Sequence, residues 1–182
     1  MAENNKNITL FSKVYEAFLN KITEDTYLYY TREEINEDAE TMLISAINRF
    51  EYPKVNIRDY DVEIMDMEHE SRGQFNVLLG YDEIEILATL MIIEWSKRKL
   101  ADASLLGLIY TGSDAKSLGT KSQIEAIKSQ LEFFQNESKV QKYKYALRKV
   151  NEDKSVEVDK VNLSGGNFLL VTNKRNSNGR IR

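Results

Sequence analysis

Residues 82–95 read DEIEILATLMIIEW, and this stretch decides the fold. Asp82 and Glu85 have the spacing of a helix cap, and the apolar residues that follow surround most of a helical circumference. Because a helix that is apolar on most sides must be buried by its neighbours, a helix over residues 82–100 is predicted to form the centre of the core. Its last turn would place three cations at the negative end of the helix dipole: Lys97, Arg98 and Lys99.

Three other stretches repeat apolar residues at the three-and-four spacing of an amphipathic helix. They are residues 10–22, 32–51 and about 120–150. Thr31 and Glu34 form a capping box at the start of the second stretch, since the threonine oxygen can accept from a free amide and the glutamate can reach back. The sequence therefore predicts about four helices.

The segments between these helices lack a sustained period. Residues 52–80 are rich in charge and predict a long connection with at most a short strand. Residues 101–119 hold three glycines among serines and predict a loop, with at most a short helix around Leu105–Tyr110.

The pattern changes after residue 151. Short apolar runs over residues 156–163 and 168–171 flank Ser164-Gly165-Gly166-Asn167, which is typical of a β-hairpin turn. The next residues, 173–182, contain four cations and no acid. We predict a mainly α fold: a bundle of about four helices over residues 1–150, then a β-hairpin and a flexible basic C-terminal segment over residues 151–182.

Composition excludes several classes of protein. With 42% apolar and 30% charged residues the chain is globular in type, and it contains no cysteine and a single histidine, His69. Disulfides, thiolate nucleophiles, cysteine-ligated zinc and histidine-paired sites are thereby removed. No apolar run is long enough to span a bilayer and no secretory signal is visible, so synthesis and function in a cytosol are expected.

The residues that could carry chemistry each have a simpler explanation. His69 lacks an oriented partner in the sequence and is better explained as a surface residue. Gly165-Gly166 lacks the lysine and the following helix of a phosphate loop. Trp95 could anchor an interface, but core packing is the more common role. We expect no catalytic residue, cofactor or metal, and an assembly component rather than an enzyme.

An acidic run leaves one enzymatic alternative open. Its carboxylates could hold a hard cation or serve a small hydrolase, although the central glycine of a calcium loop is missing and a solvated surface is more typical. The residues are Asp59, Asp61, Glu63, Asp66, Glu68 and Glu70.

A basic cluster leaves a second alternative. The end of the predicted long helix mixes lysines and arginine with tyrosines, a composition also found on nucleic-acid-binding surfaces. The residues are Lys139, Lys142, Tyr143, Lys144, Tyr145, Arg148 and Lys149. Together with the basic C-terminal segment they make a nucleic-acid-binding accessory protein the alternative function, although a solvated helix face would look the same.

Three blocks carry a resemblance to a known family: Val14-Tyr15-Glu16-Ala17-Phe18-Leu19-Asn20-Lys21-Ile22, Leu43-Ile44-Ser45-Ala46-Ile47-Asn48-Arg49-Phe50 and residues 83–95. The stretch from Phe11 to about Arg148 resembles the helical head–tail connector (adaptor, head-completion or neck) proteins of tailed bacteriophages. A further similarity lies in the serine-containing stretch 111–118.

The resemblance implies a virion protein of the phage neck, assembled in the host cytoplasm. Such proteins form a homo-oligomeric ring, often of twelve copies, between the portal protein and other neck or tail proteins. DNA passes through the channel of the ring without sequence-specific binding, and no membrane is involved. Unshielded apolar and basic character nominates the residues that would contact the portal or a neighbouring subunit: Phe168, Leu169, Leu170, Val171, Lys174 and Arg175.

Overall fold

The computed structural model describes residues 8–22, 27, 29–109, 118–150 and 156–158. In chain order its elements are β1 (Thr9–Leu10), α1 (Phe11–Leu19), α2 (Arg32–Arg49), β2 (Tyr60–Asp66), β3 (Ser71–Phe75), α3 (Tyr81–Ile109), α4 (Leu118–Leu147), β4 (Arg148–Val150) and β5 (Val156–Val158). The prediction of a mainly helical chain is confirmed, and four helices are present in the described part. The chain divides into one unit over residues 1–147 and a second over residues 148–182.

The core of the first unit forms around α3, as predicted. The buried residues of α3 contact apolar faces of α1 and α2, and Phe75 of β3 completes the cluster. Most of the largest fully buried side chains come from α1, α2, α3 and β3: Phe11, Phe18, Met42, Leu43, Ile47, Phe75, Ile86, Leu87, Met91 and Ile92. Trp95 is only 9% exposed, which confirms its core role. The three sequence blocks of the resemblance therefore all lie in core elements.

The start of α2 follows the predicted capping box. The Thr31 hydroxyl accepts from the backbone N–H of Glu34 at 3.3 Å, and a carboxylate oxygen of Glu34 accepts from the backbone N–H of Thr31 at 2.8 Å. The hydrogen bond from the Thr31 backbone N–H, and then the one from the Thr31 hydroxyl, lower the pKa of Glu34. Two of the amides that a helix start leaves free are thus satisfied locally.

A three-stranded antiparallel sheet takes two of its strands, β2 and β3, from residues 52–80, where a connection with at most a short strand was predicted. Its order is β1–β3–β2, so β3 is central and the charged strand β2 lies at an edge, where charge discourages further pairing. Three residues of β2 between Asp61 and Met65 face only Gly73, which has a φ of +98°. A Cβ atom on Gly73 would lie 2.2 Å from the Phe11 ring, so this position requires glycine.

Both long helices differ from the predicted lengths. The helix α3 continues to Ile109 instead of ending near residue 100, since residues 101–106 contain no helix breaker and one glycine in a helix costs only about 1 kcal/mol. The prediction that Lys97, Arg98 and Lys99 occupy a last turn is therefore wrong. They lie within α3, where Lys97 pairs with Glu94, Arg98 with Asp38 of α2, and Lys99 lies over the Trp95 ring.

The helices α3 and α4 form an antiparallel pair that continues past the core. Tyr145 near the end of α4 contacts Glu83 near the start of α3, which sets their opposite directions. The last α3 residue of the apolar core is Trp95, and most side chains described between residues 101 and 130 are half-buried or exposed. We call residues 101–109 and 118–130 the helical extension.

The described part of the second unit is an antiparallel pair of strands. Arg148 pairs with Val158 and Val150 with Val156, so the long helix ends at Leu147 and not at residue 150. The hairpin predicted around Ser164–Asn167 lies, with its turn and its second strand, outside the described residues and stays a prediction.

Candidate interaction surfaces

The six residues nominated as a portal or subunit interface lie outside the described part of the chain. They are Phe168, Leu169, Leu170, Val171, Lys174 and Arg175. Two surfaces of the first unit have the composition of interaction sites: one is acidic, and the other is apolar with basic neighbours. Neither surface was predicted as a whole from the sequence.

The first surface is a groove between α2 and the β2–β3 hairpin, with a volume of about 530 Å³. We call it the acidic groove. Its wall on α2 carries Glu33, Glu37 and Glu40, which share one helix face because they follow each other at intervals of four and three. The hairpin wall adds Glu70 and Arg72, whose guanidinium lies 3.8 Å from a carboxylate oxygen of Glu37.

Apolar and polar groups complete the acidic groove. Met65 and Met67 line it and are 54% and 81% exposed, so their thioethers are available to a ligand. Ser71 also lines the groove but is only 2% exposed, and its hydroxyl has no hydrogen-bond partner among the described residues. A buried hydroxyl without a partner is energetically costly, so a ligand group that bonds to it gains affinity.

The hydroxyl of Tyr15 is a second buried polar group, and it is affected by two charged residues of the acidic groove. Tyr15 is 2% exposed, and its hydroxyl likewise lacks a partner among the described residues. Burial raises the pKa of Tyr15, the charge of Glu40 raises it further, and the charge of Arg72 acts in the opposite direction. The charges of the groove thus act on a buried residue of α1, and the hydroxyl stays protonated.

A buried carboxylate fixes the hairpin that forms one wall. The Ser12 hydroxyl donates to Asp66 at 2.7 Å, His69 Nδ1 lies 2.9 Å from the same oxygen, and the backbone N–H groups of Glu68 and His69 donate to the other oxygen. Burial alone would raise the pKa of Asp66, but the hydrogen bonds from Ser12 and His69 outweigh it and lower the pKa. The turn between β2 and β3 is thereby attached to α1.

This cluster contains serine, aspartate and histidine without the geometry of a catalytic triad. In a triad the serine hydroxyl bonds to the histidine, whereas Ser12 and His69 both contact Asp66 directly. Ser12 is also 4% exposed, so its hydroxyl is committed to the carboxylate inside the protein. His69 is partly exposed and lies 3.7 Å from Glu16, so the predicted surface position holds only in part.

The acidic run does not converge on one point. The carboxylate of Asp59 accepts from the Asn76 side chain, that of Asp61 from the backbone N–H of Glu63, and Asp66 is buried in its own cluster. Among the residues that the structure describes, no group of three or more acidic or histidine side chains is placed to hold a metal ion. The acidic residues are distributed along β2 and the turn that follows it, so their carboxylates are separated from one another.

The second surface is an apolar stripe on α4. Phe133, Val140 and Tyr143 are 62%, 50% and 50% exposed, and their spacing places them along one side of the helix. Exposed Lys139 and Lys144 lie beside the stripe. We call these five residues the α4 stripe. Large apolar side chains exposed along one side of a surface helix are typical of a protein contact site.

Part of the predicted basic cluster is paired with an acid or buried, and is not available as a free surface. Lys142 pairs with Glu51 at 3.2 Å. Tyr145 is 4% exposed, its hydroxyl donates to Glu83 at 2.7 Å, and it accepts from the backbone N–H of Lys54 at 2.8 Å. Burial first, then the hydrogen bond to Glu83, raise the pKa of Tyr145. Tyr145 is thus a structural residue that attaches α4 to the core.

Comparison of the chain with family models, curated proteins and solved structures returned no match. Among the described helices, none combines the length and the apolar character needed to cross a bilayer.

Proposed function

We propose that the chain is a structural virion protein of a tailed bacteriophage, a head–tail connector that forms a ring at the portal vertex and joins the DNA-filled head to the tail. The proposal places it in the virion neck after assembly in the host cytoplasm, with the portal protein and other neck or tail proteins as partners. Its role is structural rather than catalytic. DNA would pass through the ring, often of twelve copies, without sequence-specific binding.

The observation that carries the proposal is the α4 stripe. Core residues of α3 and α4 pack inward, while Phe133, Val140 and Tyr143 remain exposed on the outer side of the longest helix. Burial of three such side chains at a subunit contact would contribute several kcal/mol, at about 25 cal/mol per Å² of apolar area. A ring protein needs surfaces of this kind, because each copy must contact two neighbours.

The sequence blocks of the resemblance support the same proposal. They fall in α1, α2 and α3, and these helices supply most of the buried core. Proteins that share a fold and differ in their functional surfaces are expected to be similar in the segments that form the core.

The C-terminal residues retain their proposed role as a contact with the portal or an adjoining subunit. The apolar part is Phe168, Leu169, Leu170 and Val171, and the basic part is Lys174 and Arg175. Charge reversal at Lys174 and Arg175 tests the basic part, and particle assembly at the wild-type level would contradict it.

Cryo-electron microscopy of native particles tests the proposal as a whole. We expect a ring of this chain between portal and tail, into which the α1–α4 fold can be placed. Particles that lack the chain would overturn the connector proposal.

The alternative proposal is a nucleic-acid-binding accessory protein. The observation in its favour is the set of exposed residues Lys139, Tyr143 and Lys144 at one end of α4, a combination of cations with an aromatic ring. Binding through phosphates would weaken steeply with salt. A DNA mobility-shift assay at low salt tests it, and the absence of any shift would refute it.

A further inference from the structure

We propose that the acidic groove of one copy binds the basic C-terminal segment, residues 173–182, of a second copy. The inference rests on the proposed ring, since only an assembly of copies would bring one chain's segment to another chain's groove. It names the contact that would link neighbouring copies. The charge, the buried polar group and the apolar lining of the groove all suit such an occupant.

The charge of the groove favours a cationic occupant. Glu33, Glu37 and Glu40 follow each other at helical intervals of four and three, and like charges at such spacing destabilise a helix by about 0.2–0.5 kcal/mol per pair. With Glu70, four carboxylates face one guanidinium, that of Arg72. A bound cation would relieve this repulsion, so the groove gains more from a cation than an ordinary surface does.

The interior of the groove suits arginine or lysine in particular. Ser71 lines the groove and is 2% exposed, and its hydroxyl has no hydrogen-bond partner among the described residues, so it can accept a hydrogen bond from a guanidinium or ammonium group. Met65 and Met67 offer flexible apolar surface to the alkyl part of such side chains. Its volume of about 530 Å³ falls within the about 300–1,000 Å³ typical of ligand sites.

The basic C-terminal segment has the complementary composition. It contains Lys174, Arg175, Arg180 and Arg182, no acidic residue, and otherwise small polar residues with one isoleucine. Four cations on one segment match the excess of negative charge in the groove. Adjacent Lys174 and Arg175 can place two cations in the groove at once.

A charge-swap experiment on the full-length chain tests the inference. One variant reverses the groove, Glu37→Lys with Glu40→Lys, and the other reverses the segment, Lys174→Glu with Arg175→Glu. Self-association is measured by sedimentation velocity at about 0.05 M and about 0.5 M salt, which differ in Debye length by about threefold. The wild-type chain should associate at low salt and dissociate at high salt.

Each variant alone should associate about tenfold or more weakly, because several cation–carboxylate contacts worth up to about 1 kcal/mol each become repulsive. An equimolar mixture of the two variants should associate again, since the reversed segment then faces the reversed groove. Ser71→Ala should weaken association less than the groove reversal. The matched control is Asp102→Lys with Glu125→Lys, two exposed carboxylates of the helical extension outside both the groove and the α4 stripe.

Three outcomes would overturn the inference: a mixture that stays as weak as its components, a control that weakens association as much as the groove reversal, or a salt-sensitive segment contact that is independent of protein concentration. The last outcome would mean that each chain binds its own segment. The connector proposal is judged separately, by the presence of the chain in the neck of particles. Folding of every variant is checked by far-ultraviolet circular dichroism and Trp95 fluorescence.

Discussion

Replacement of Tyr145 by phenylalanine isolates the contact that attaches α4 to the core. The ring of Tyr145 packs against Phe50, and the substitution preserves that packing. Only the hydroxyl is lost, with its hydrogen bond of 2.7 Å to Glu83 and its hydrogen bond of 2.8 Å from the backbone N–H of Lys54. The free energy of unfolding should fall because both partners lose a bond inside the protein.

The magnitude follows from the burial of the two partners. Glu83 is 8% exposed, so its carboxylate oxygen cannot readily replace the lost donor with water. A hydrogen bond to a charged group contributes about 1.5–3 kcal/mol, and an unsatisfied backbone N–H adds about 1 kcal/mol. We expect a total loss of about 2–4 kcal/mol, which lowers the melting temperature of a chain this size by about 4–16 °C.

Urea unfolding followed by Trp95 fluorescence measures this loss. With a slope of about 2 kcal/mol per M, the midpoint should fall by about 1–2 M while the slope stays unchanged. The matched control is Tyr143→Phe, two residues away on the same helix and 50% exposed, which should change stability by less than about 0.5 kcal/mol. A Tyr145→Phe variant as stable as Tyr143→Phe would refute the assignment of Tyr145 as an anchor.

Three further predictions concern the hairpin, the buried carboxylate and the helical extension. Gly73→Ala should destabilise the fold by about 2–4 kcal/mol in urea unfolding, because its φ is left-handed and its Cβ would meet the Phe11 ring. Asp66→Asn should be less stable than the wild type at neutral pH, and the difference should shrink as the pH falls below about 4. The lowered pKa of Asp66 contributes stability above the unfolded pKa of about 3.9, and that stability is lost as the pH falls through the folded pKa. In hydrogen exchange, amides of residues 86–95 should be the most protected in α3, and those of residues 101–109 should exchange faster because their described side chains are mostly exposed.

Each of these has its own control or contrary result. Gly80→Ala is the control for the backbone conformation of Gly73: its φ is not left-handed, and its Cβ would meet one carboxylate oxygen of Glu83, at 2.7 Å, instead of a ring, so its effect should be smaller. An equal effect would contradict the requirement for glycine at position 73. A constant difference between wild type and Asp66→Asn from about pH 6 to about pH 2 would show that the ionised carboxylate is not what stabilises the turn. Uniform protection along α3 would contradict a helical extension that opens independently of the core.

Features encoded by neighbouring residues were predictable from the sequence. The start of α2 depends on Thr31 and Glu34, three residues apart, and its capping box was predicted and is confirmed. The central position of α3 was predicted because apolar residues surround the helix, and the burial of Leu87, Met91 and Ile92 confirms it.

Features that depend on distant residues were missed. The strands β2 and β3 pair across a turn. In β2 the apolar residues Val62 and Ile64 alternate with acidic ones, and the high charge of this stretch made it resemble a connection more than a strand. The end of α3 was placed too early because the contact with α4, which supports the helix beyond residue 100, is absent from any local pattern.

The candidate surfaces were predictable only in part. The spacing of Glu33, Glu37 and Glu40 along α2 was visible in the sequence, and it is the signal that could have indicated an acidic face. The burial of the Ser71 and Tyr15 hydroxyls results from the packing of the hairpin on α1 and α2. This packing joins residues far apart in the sequence, so no local pattern predicts it.

The position of Tyr145 affects how precisely the orientation of α4 is fixed. Tyr145 lies near one end of a 30-residue helix, and about 40 Å separate it from the first turn at a rise of about 1.5 Å per residue. A tilt of only about 5° about Tyr145 would therefore move that first turn by about 3.5 Å, the width of an atomic contact. The two hydrogen bonds of Tyr145 thus act with the packing of Leu131 and Phe134 on the core to limit the tilt of α4, and their loss should displace the first turn of α4 more than the core beside Tyr145.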